Sequence, residues 1–342
     1  MSYLRHIWYP AAWDGEVSDT GLLRRTLLDE SMVLFRGKDG VAYSLADRCP
    51  HRYAPLSMGQ IVDGTIQCPY HGLRFDGAGQ CVHNPQGEKS PPNAQAQSYP
   101  IVERHRLIWI WMGDASHADP ELIPDLSFQD ADTAYVGQGY LKVNAGYQLE
   151  IDNILDLSHI QFLHATTLGS GGVSAGTYTS AQEGNIVWSR RETVAEIMSD
   201  ELSLIMGLVP GEPVDRWLHV SWQAPANLVL YAGAVPTGLP KGEGREGPSV
   251  HLFTPETNAT SHYWYGFSLP KAMGEIAEKM AIDQTKFLEV PFTTEDLPML
   301  EAQQRNLGSR SLDDIKPVWL PGDAAGSRAR QILARMIADE QK

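Results

Sequence analysis

The sequence lacks a long apolar run, an excess of basic charge and the cysteines for a disulfide framework. Its 342 residues are 42% apolar and 20% charged, as in an ordinary globular protein. The densest apolar run, Leu107 to Met112, is too short to cross a bilayer, and residues 1–6 lack a basic region followed by an apolar stretch. These absences predict a cytoplasmic protein with no membrane segment.

The charge balance is strongly acidic. With 27 basic and 42 acidic residues, the net charge of -15 repels nucleic acid and leaves no polybasic surface for anionic lipid. The sequence also has no Gly-x-Gly-x-x-Gly unit between a strand and a helix, so it does not predict a dinucleotide site. We therefore expect small molecules and other proteins as partners.

Cysteine is scarce, with only Cys49, Cys68 and Cys81 present. An odd number suits a reducing compartment and argues against paired disulfides. Cys81 lies outside the motif formed by the other two, and we interpret it as a small buried apolar residue.

The composition changes character near residue 117, which we take as a domain boundary. Residues 1–117 are rich in Gly, Pro and short apolar runs and predict a small all-β domain. An acidic, Pro-containing stretch from Asp114 to Pro124 indicates a linker, and residues 118–342 predict an α+β domain with an antiparallel sheet. Its predicted strands are Trp217 to Trp222, Leu228 to Ala232, Val250 to Phe253 and His262 to Phe267, and its predicted helices are Tyr147 to His164, Met273 to Leu288 and Ala325 to Glu340.

The strongest signal is Cys49-Pro50-His51, followed after sixteen residues by Cys68-Pro69-Tyr70-His71. A two-iron cluster takes two ligands from each of two loops, and two thiolates with two imidazoles let one iron bind sulfur and the other nitrogen. The alternative is a tetrahedral zinc site made by the same four residues. Zinc fingers group their two cysteines and their two histidines, whereas Cys and His alternate here, so the pattern favours a [2Fe-2S] cluster.

The two segments, Cys49-Pro50-His51-Arg52 and Cys68-Pro69-Tyr70-His71-Gly72, resemble the Rieske loops of aromatic-ring oxygenases. The runs from Ile151 to His164 and from Glu295 to Glu301 resemble the group of vanillate O-demethylase, toluenesulfonate methyl-monooxygenase and dicamba monooxygenase, and nearly the whole chain is covered. The resemblance implies a Rieske domain over residues 1–117 and a catalytic domain over residues 118–342. It also implies that a mononuclear Fe(II) is bound by His159, His164 and Asp296.

Helical geometry limits how these residues can meet. On an ideal helix with about 100° per residue, Asp156 lies between His159 and His164, which are about 140° apart. Both histidines reach one metal only after local unwinding or a π-bulge, so we expect an irregular helix. Asp152, Asn153 and Asp156 join the histidines in a polar face that is costly to bury without a metal or a network. The alternative is a solvated helix face.

A carboxylate from elsewhere in the chain would complete the metal site and leave open coordination positions for dioxygen. Asp296 is the best candidate, because Thr293 or Thr294 can cap a helix whose first turn tolerates Pro298. In the other interpretation, Asp296 is a carboxylate stabilised by the helix dipole. The neighbouring candidates are Glu295 and Glu301.

One further histidine has a pattern of its own. In Ser249-Val250-His251-Leu252-Phe253, His251 alternates with apolar residues and can project from a sheet into a pocket. We expect His251 to contact the substrate.

The resemblance implies the oxygenase component of a Rieske monooxygenase. Electrons from NAD(P)H would reach the cluster through a separate reductase or ferredoxin, and an aromatic substrate, expected to be an acid, would react with O2 at the iron. Hydroxylation of a methyl or methoxy group would follow, and in the methoxy case the net reaction would be O-demethylation with release of formaldehyde. The expected catalytic residues are Asp156 and Asn153.

The resemblance also implies a head-to-tail homotrimer. The two metals of one chain would be far apart, and Asp156 of one subunit would bridge its own His159 and His71 of a neighbouring subunit. Two other functions stay open at this stage. A Rieske electron carrier needs no second metal, and a ring-cis-dihydroxylating dioxygenase shares both metal sites and differs in how it holds the substrate.

Overall fold

The computed structural model describes residues 3–87, 89–170 and 172–342. The chain forms two compact units. The first comprises the described residues up to Asp125 together with Thr254–Thr257, and the second comprises Leu126–Phe253 and Asn258–Lys342. The division follows Asp125 and not residue 117, because the predicted linker folds into the 3-10 turns Ala115–His117 and Pro120–Leu122 and stays with the first unit.

The first unit contains three small antiparallel sheets and no α-helix among its described residues. The sheet orders are β1-β11-β10, β2-β3-β4-β9 and β5-β6-β7-β8. The strands are β1 (Trp8–Trp13), β2 (Leu23–Leu27), β3 (Glu30–Arg36), β4 (Ala42–Ala46), β5 (Gln60–Val62), β6 (Thr65–Gln67), β7 (Arg74–Phe75), β8 (Cys81–His83), β9 (Ser98–Tyr99), β10 (Ile101–Arg104) and β11 (Leu107–Trp111). The prediction of an all-β N-terminal domain is confirmed.

Two buried apolar clusters hold the first unit together. One includes Tyr9 and Ile108, and the other includes Phe35 together with Cys49 and Cys68. Both cysteines are only 2% exposed, so the second cluster shields their side chains from solvent. The expectation that Cys81 is buried is wrong, because it is only half-buried at the edge of that cluster.

The second unit contains a seven-stranded sheet with the order β12-β18-β17-β16-β15-β14-β13. The strands are β12 (Ala134–Val143), β13 (Thr177–Glu183), β14 (Ile186–Glu196), β15 (Val214–Gln223), β16 (Asn227–Pro236), β17 (Arg245–Thr257) and β18 (Thr260–Pro270). The four predicted strands are confirmed as the cores of β15 to β18, each of which extends further at both ends. Strands β12 to β14 were not predicted, because their polar and Gly-rich sequences carry no clear apolar run.

Seven α-helices accompany this sheet among the described residues. They are α1 (Tyr147–Leu155), α2 (Ile160–Leu163), α3 (Asp200–Ile205), α4 (Ile276–Pro291), α5 (Leu297–Leu307), α6 (Leu312–Ile315) and α7 (Ala324–Glu340). The predicted helices at the C-terminal end are confirmed with shifted bounds, whereas the helix predicted from Tyr147 to His164 is interrupted. No helix in the described part of the chain is long and apolar enough to cross a membrane.

The middle of the large sheet depends on one glycine for its packing. A Cβ atom at Gly233 on β16 would lie 2.1 Å from Cε2 of Trp217 on the neighbouring strand β15. The Trp217 indole is held in place because its Nε1 donates a hydrogen bond of 2.6 Å to Glu246 on β17. The ring therefore cannot move away without breaking that bond.

We expect Gly233→Ala to lower the free energy of unfolding by about 1–3 kcal/mol, because overpacking displaces the Trp217 ring. Chemical denaturation followed by tryptophan fluorescence would measure the change. Gly242→Ala is the matched control, since a Cβ atom there meets nothing within 4 Å. Equal midpoints for the two variants would show that Trp217 accommodates the added methyl group.

Candidate metal centres and adjoining cavities

Two loops with the same backbone pattern carry the Cys and His residues of the motif. In each loop, the cysteine N–H donates to the carbonyl five residues later, at 2.8 Å in both Cys49–Ala54 and Cys68–Leu73. The fifth residue of each loop donates back to the cysteine carbonyl and has positive φ, 56° at Tyr53 and 76° at Gly72. Glycine adopts this conformation without strain. The motif therefore builds a pair of matching loops.

The side chains of these loops bring two thiols and two imidazoles together. Cys49 and Cys68 are buried, and the ring centroids of His51 and His71 lie 4.6 Å apart. Burial above all raises the pKa of the Cys49 thiol to about 11, so the thiolate needs a metal for stabilisation. The Nδ1 atom of His71 is buried without a hydrogen-bond partner. A buried polar atom of this kind fits a residue that binds a metal.

The arrangement of these four residues differs from that of a single-ion site. Ligands of a single ion converge, so their metal-binding atoms lie close to one another. Among the described residues, one group of at least three Asp, Glu, Cys or His side chains has all its ligand atoms within 4.8 Å of one another, and it consists of His159, His164 and Asp296. The two cysteines and two histidines of the motif do not converge in that way. This spread disfavours one tetrahedral zinc ion and fits a larger cluster with sulfur ligands on one metal and nitrogen ligands on the other.

The second candidate centre begins where α1 ends. Asp156 interrupts the helix with φ -115° and ψ 85°, and the 3-10 turn Leu157–His159 leads into α2. The expected local unwinding is therefore confirmed. It brings the rings of His159 and His164 to a centroid distance of 5.2 Å, which a continuous helix would not allow.

Asp296 reaches the same point from a different segment. The expectation that Thr293 or Thr294 caps a helix is wrong: both hydroxyls donate to carbonyls of the preceding turn, at 2.7 Å to Glu289 and 2.8 Å to Val290. Residues Phe292–Asp296 form a π-helical turn between α4 and α5. Hydroxyl groups that bond to the preceding turn distort a helix, and such turns are frequent at functional sites.

The three side chains face one another through their metal-binding atoms. His159 Nε2 lies 3.6 Å from one oxygen of Asp296, and His164 Nε2 lies 3.1 Å from the other. Asp296 is buried and also accepts a hydrogen bond of 3.0 Å from the Asn153 amide. Two imidazoles and one carboxylate at these distances form the ligand set typical of a non-haem Fe(II) site.

The outward-facing nitrogen of each histidine is also bound. His159 Nδ1 lies 2.7 Å from the backbone carbonyl of Asp156, and His164 Nδ1 lies 2.6 Å from the carboxylate of Glu295. Such contacts fix the tautomer and leave Nε2 free for a metal. Glu295 was weighed only as an alternative ligand, and its place at His164 Nδ1 has no signal in the sequence. The Asp156 carboxylate accepts from Ser158 N and does not bond to His159 in this chain.

The surroundings shift the two histidines in opposite directions. Burial is the main reason that the pKa of His159 is lowered. Burial also acts to lower the pKa of His164, but hydrogen bonds and charge from Asp296 and Glu295 outweigh it and raise the pKa overall. The carboxylates of Asp296 and Glu295 place two negative charges next to the His164 imidazole. A divalent metal bound at this point would balance these charges, so the donor set fits such an ion.

A cavity of about 100 Å³ adjoins these three residues. Its wall is mostly apolar, with side chains such as Leu218, Leu230 and Phe267. His251 lines it as expected, but its ring is buried and engaged on both sides: Nδ1 lies 2.7 Å from the Tyr263 hydroxyl and Nε2 lies 3.1 Å from Ser249 Oγ. Burial lowers the pKa of His251 to about 4, so this residue is neutral.

A second cavity, of about 300 Å³, also borders α1. Asp156 and His159 line it together with the segment that contains Val318 and Trp319. That segment packs tightly on Asp156, because a Cβ atom at Gly322 would lie 2.4 Å from its carboxylate oxygen. Asp156 therefore lines a surface cavity that also reaches one histidine of the candidate iron site.

Comparison with known families identifies both units. Residues 7–100 match the Rieske [2Fe-2S] domain, and residues 143–339 match the vanillate O-demethylase oxygenase C-terminal domain. The second match alone covers more than half of the chain.

Individual relatives match along their whole length. The iron-sulfur subunit of a toluene-4-sulfonate monooxygenase system from Comamonas testosteroni is 37% identical, with 99% of this chain and 98% of the relative covered. The oxygenase component of dicamba O-demethylase from Stenotrophomonas maltophilia is 35% identical, with 98% of each covered. A crystal structure of dicamba monooxygenase bound to 3,6 dichlorosalicylic acid superposes with a TM-score of 0.90 at 33% identity, over 100% of this chain and 99% of the other.

We expect Glu295→Gln to weaken Fe(II) binding about 10- to 100-fold, since the His164 imidazole loses the anionic partner that raises its basicity. Titration of the metal-depleted protein with Fe(II) under anaerobic conditions would measure the affinity. Glu301→Gln is the matched control, because Glu301 accepts a hydrogen bond from Asn144 and lies outside the group formed by the three candidate ligands. Unchanged affinity in Glu295→Gln would show that this carboxylate does not support the metal.

Proposed function

Because this chain belongs to the Rieske oxygenases with a C-terminal domain of the vanillate O-demethylase type, we propose that it is the oxygenase component of a monooxygenase that hydroxylates a methyl or methoxy group of an aromatic substrate, expected to be an acid. The observation that carries the proposal is that the metal-binding atoms of His159, His164 and Asp296 converge at the wall of an apolar cavity.

The Rieske domain supplies the electrons. In this proposal Cys49 and Cys68 bind one iron of the [2Fe-2S] cluster, and His51 and His71 bind the other. Two buried thiols next to each other and the unpaired Nδ1 of His71 support that assignment. The two histidines lie on the more exposed side of the loops, where an electron can enter or leave.

The second metal is a mononuclear Fe(II) held by Nε2 of His159, Nε2 of His164 and the carboxylate of Asp296. When bound, Fe(II) supplies the open coordination positions at which O2 is activated for insertion of one oxygen atom into a C–H bond. The chain supplies the orientation: the Asp156 carbonyl and Glu295 hold the two imidazoles, and Asn153 holds Asp296.

The apolar cavity has two tasks in this reaction. It excludes water from the reacting C–H bond and holds the aromatic ring in one orientation next to the iron ligands. Ser249, whose hydroxyl is oriented by His251, provides a polar contact for a ring substituent at one end. If the oxidised group is a methoxy group, the hydroxylated product is a hemiacetal, which breaks down to a phenol and formaldehyde.

The other two functions are less well supported. If the protein were a Rieske electron carrier, the group His159, His164 and Asp296 and the cavity next to it would have no function. A ring-cis-dihydroxylating dioxygenase would use the same ligands, but both relatives named above are described as a monooxygenase or an O-demethylase. The product distinguishes the two reactions, because a dihydrodiol cannot be confused with a phenol and formaldehyde.

We further propose that three copies assemble head to tail. Large apolar side chains are exposed beside the cluster histidines, with Tyr53 71% exposed and Tyr70 59% exposed. Apolar side chains are also exposed at the cavity over Asp156, where Val318 is 88% exposed. Exposed apolar groups of this size indicate protein contacts, and a heterologous contact closes into a ring of three when neighbouring copies are related by a rotation of one third of a turn. His71 of one copy would then meet Asp156 of a neighbouring copy.

The remaining partner is an NAD(P)H-dependent reductase, with or without a ferredoxin. The run from Gly242 to Gly247 has the Gly-x-Gly-x-x-Gly spacing, but it leads into strand β17 and not into a helix, so it does not form a dinucleotide site. We therefore expect the electrons to come from another protein. The odd number of cysteines argues against paired disulfides and fits a reducing compartment, the cytoplasm.

We expect the purified protein to be brown and, with a reductase and NADH, to convert a methoxylated aromatic acid to a phenol and one equivalent of formaldehyde. Formaldehyde, oxygen uptake and the paramagnetic signal of the reduced cluster would be measured together. His159→Ala should lose mononuclear iron and formaldehyde formation while its cluster signal stays intact, whereas Cys68→Ala should lose the cluster. A colourless, zinc-containing protein or a dihydrodiol product would contradict the proposal.

We expect Asp156→Asn to keep both metals and to slow oxidation of the reduced cluster about 10- to 100-fold in a single turnover. Iron should stay bound because His159 bonds to the backbone carbonyl of residue 156, which the substitution leaves in place. Electron transfer from the cluster to the mononuclear iron should slow, because the introduced amide presents an N–H donor where the cluster histidine needs a hydrogen-bond acceptor. Stopped-flow absorbance would measure the rate, with the exposed Asp283→Asn as the matched control. An unchanged rate would show that electrons take another route.

A further inference from the structure

The cavity beside the candidate iron site contains one permanent cation among its described lining residues, Arg216. The other basic side chains of the wall are histidines. His159 and His164 face Asp296 with their Nε2 atoms, and His251 is neutral and engaged by Tyr263 and Ser249. Apart from a bound metal ion, any anionic group that enters this cavity therefore has a single permanently charged cation in its wall.

Arg216 is held in place by an ion pair and by a backbone carbonyl. Its Nη1 donates to Glu196 at 2.9 Å, and both terminal nitrogens lie within 3.4 Å of the Leu168 carbonyl. Glu196 is buried and also accepts from the hydroxyls of Ser170 and Thr193. Burial raises the pKa of Glu196, but Arg216 and these hydroxyls outweigh it and lower the pKa overall, so Glu196 stays ionised.

This network leaves part of the guanidinium available. Arg216 has five N–H groups, and its Nε–H has no hydrogen-bond partner among the described residues. Arg216 lines the cavity, whereas Glu196 does not. The guanidinium is therefore paired with a carboxylate outside the cavity lining, borders the open space of the cavity and has its orientation fixed by hydrogen bonds. A guanidinium held in this way binds a planar oxyanion at little entropic cost.

The sheet register gives the spacing of the polar groups along the cavity. On neighbouring strands, Leu218 pairs with Ala232 and Ala232 pairs with Gly247, and this row separates Arg216 from Ser249. At about 3.4 Å per residue, the rows of Arg216 and Ser249 lie roughly 14 Å apart. The surface between them is apolar and includes small residues. That length suits a substituted benzene ring with one polar group at each end.

We propose that Arg216 is the specificity-determining residue that binds the carboxylate or sulfonate group of the aromatic substrate, at the end of the cavity away from Ser249 and His251. The inference rests on the proposed function, because it assigns one substituent of the substrate for that reaction. The iron ligands do not contribute to this contact. In this proposal the Arg216 guanidinium on β15, and not the bound metal, selects substrates that carry an acidic group.

Substrate binding to the holoenzyme tests the proposal without turnover. Calorimetric titration, anaerobic and without reductase, would compare ortho-, meta- and para-methoxybenzoate with the corresponding methoxybenzamides, which have the same shape and no charge. We expect the best-binding benzoate to bind at least about 10-fold more tightly than its amide. Arg216→Met should weaken that benzoate about 10- to 100-fold and change the amide less than about 2-fold. Arg190→Met is the matched control, because Arg190 lies over Trp188 and does not line the cavity.

The variant Arg216→Met leaves a buried carboxylate without its cation, so Arg216→Met/Glu196→Gln is the second variant. It removes both charges and should show the same selective loss of benzoate binding. If benzoate and amide weaken equally, Arg216 only supports the loop at Leu168 and the proposal is overturned. A wild-type protein that binds no benzoate more tightly than its amide overturns it as well. Formaldehyde formation is measured separately, so failure of the proposed reaction would be recognised independently of these binding ratios.

Discussion

The catalytic unit depends on one buried carboxylate, Asp296, which faces Nε2 of both histidines. Such a group is stable in a protein interior only if it is hydrogen-bonded and balanced by positive charge. Asn153 provides the hydrogen bond, and the two imidazoles provide the site for a cation. The break in the helix at Asp156, the π-helical turn before α5 and the cavity in front of the sheet are all arranged around that point.

The sequence was most informative where chemistry requires adjacent residues. The Cys-Pro-His and Cys-Pro-Tyr-His segments predicted a two-iron cluster in the first domain, and the later runs carried the resemblance that implied a common site for His159, His164 and Asp296. The apolar strands β15 to β18 were also found, because their centres are continuous runs of large apolar residues. In these cases a short segment contains the whole signal.

The sequence was least informative where a feature depends on contacts between distant segments. Strand β12 was missed because it contains Gly137, which reads as a turn residue, yet in the fold a Cβ atom there would lie 2.2 Å from the Ala281 carbonyl of α4. The absence of a side chain at Gly137 lets helix α4 pack directly against strand β12. In the same way, the contact of Glu295 with His164 and the ion pair of Glu196 with Arg216 join residues that no local pattern relates.

The π-helical turn Phe292–Asp296 makes the site sensitive to chain length. Glu295 and Asp296 are adjacent in sequence but lie at opposite edges of the His164 ring, one at Nδ1 and the other at Nε2. Consecutive helical residues point about 100° apart, so the loss or gain of one residue in this turn would rotate α5 and everything after it relative to the two histidines. Insertions and deletions between α4 and α5 therefore decide which carboxylate reaches the metal. Relatives that retain both acidic residues could still differ in their ligand set if they differ in the length of this turn.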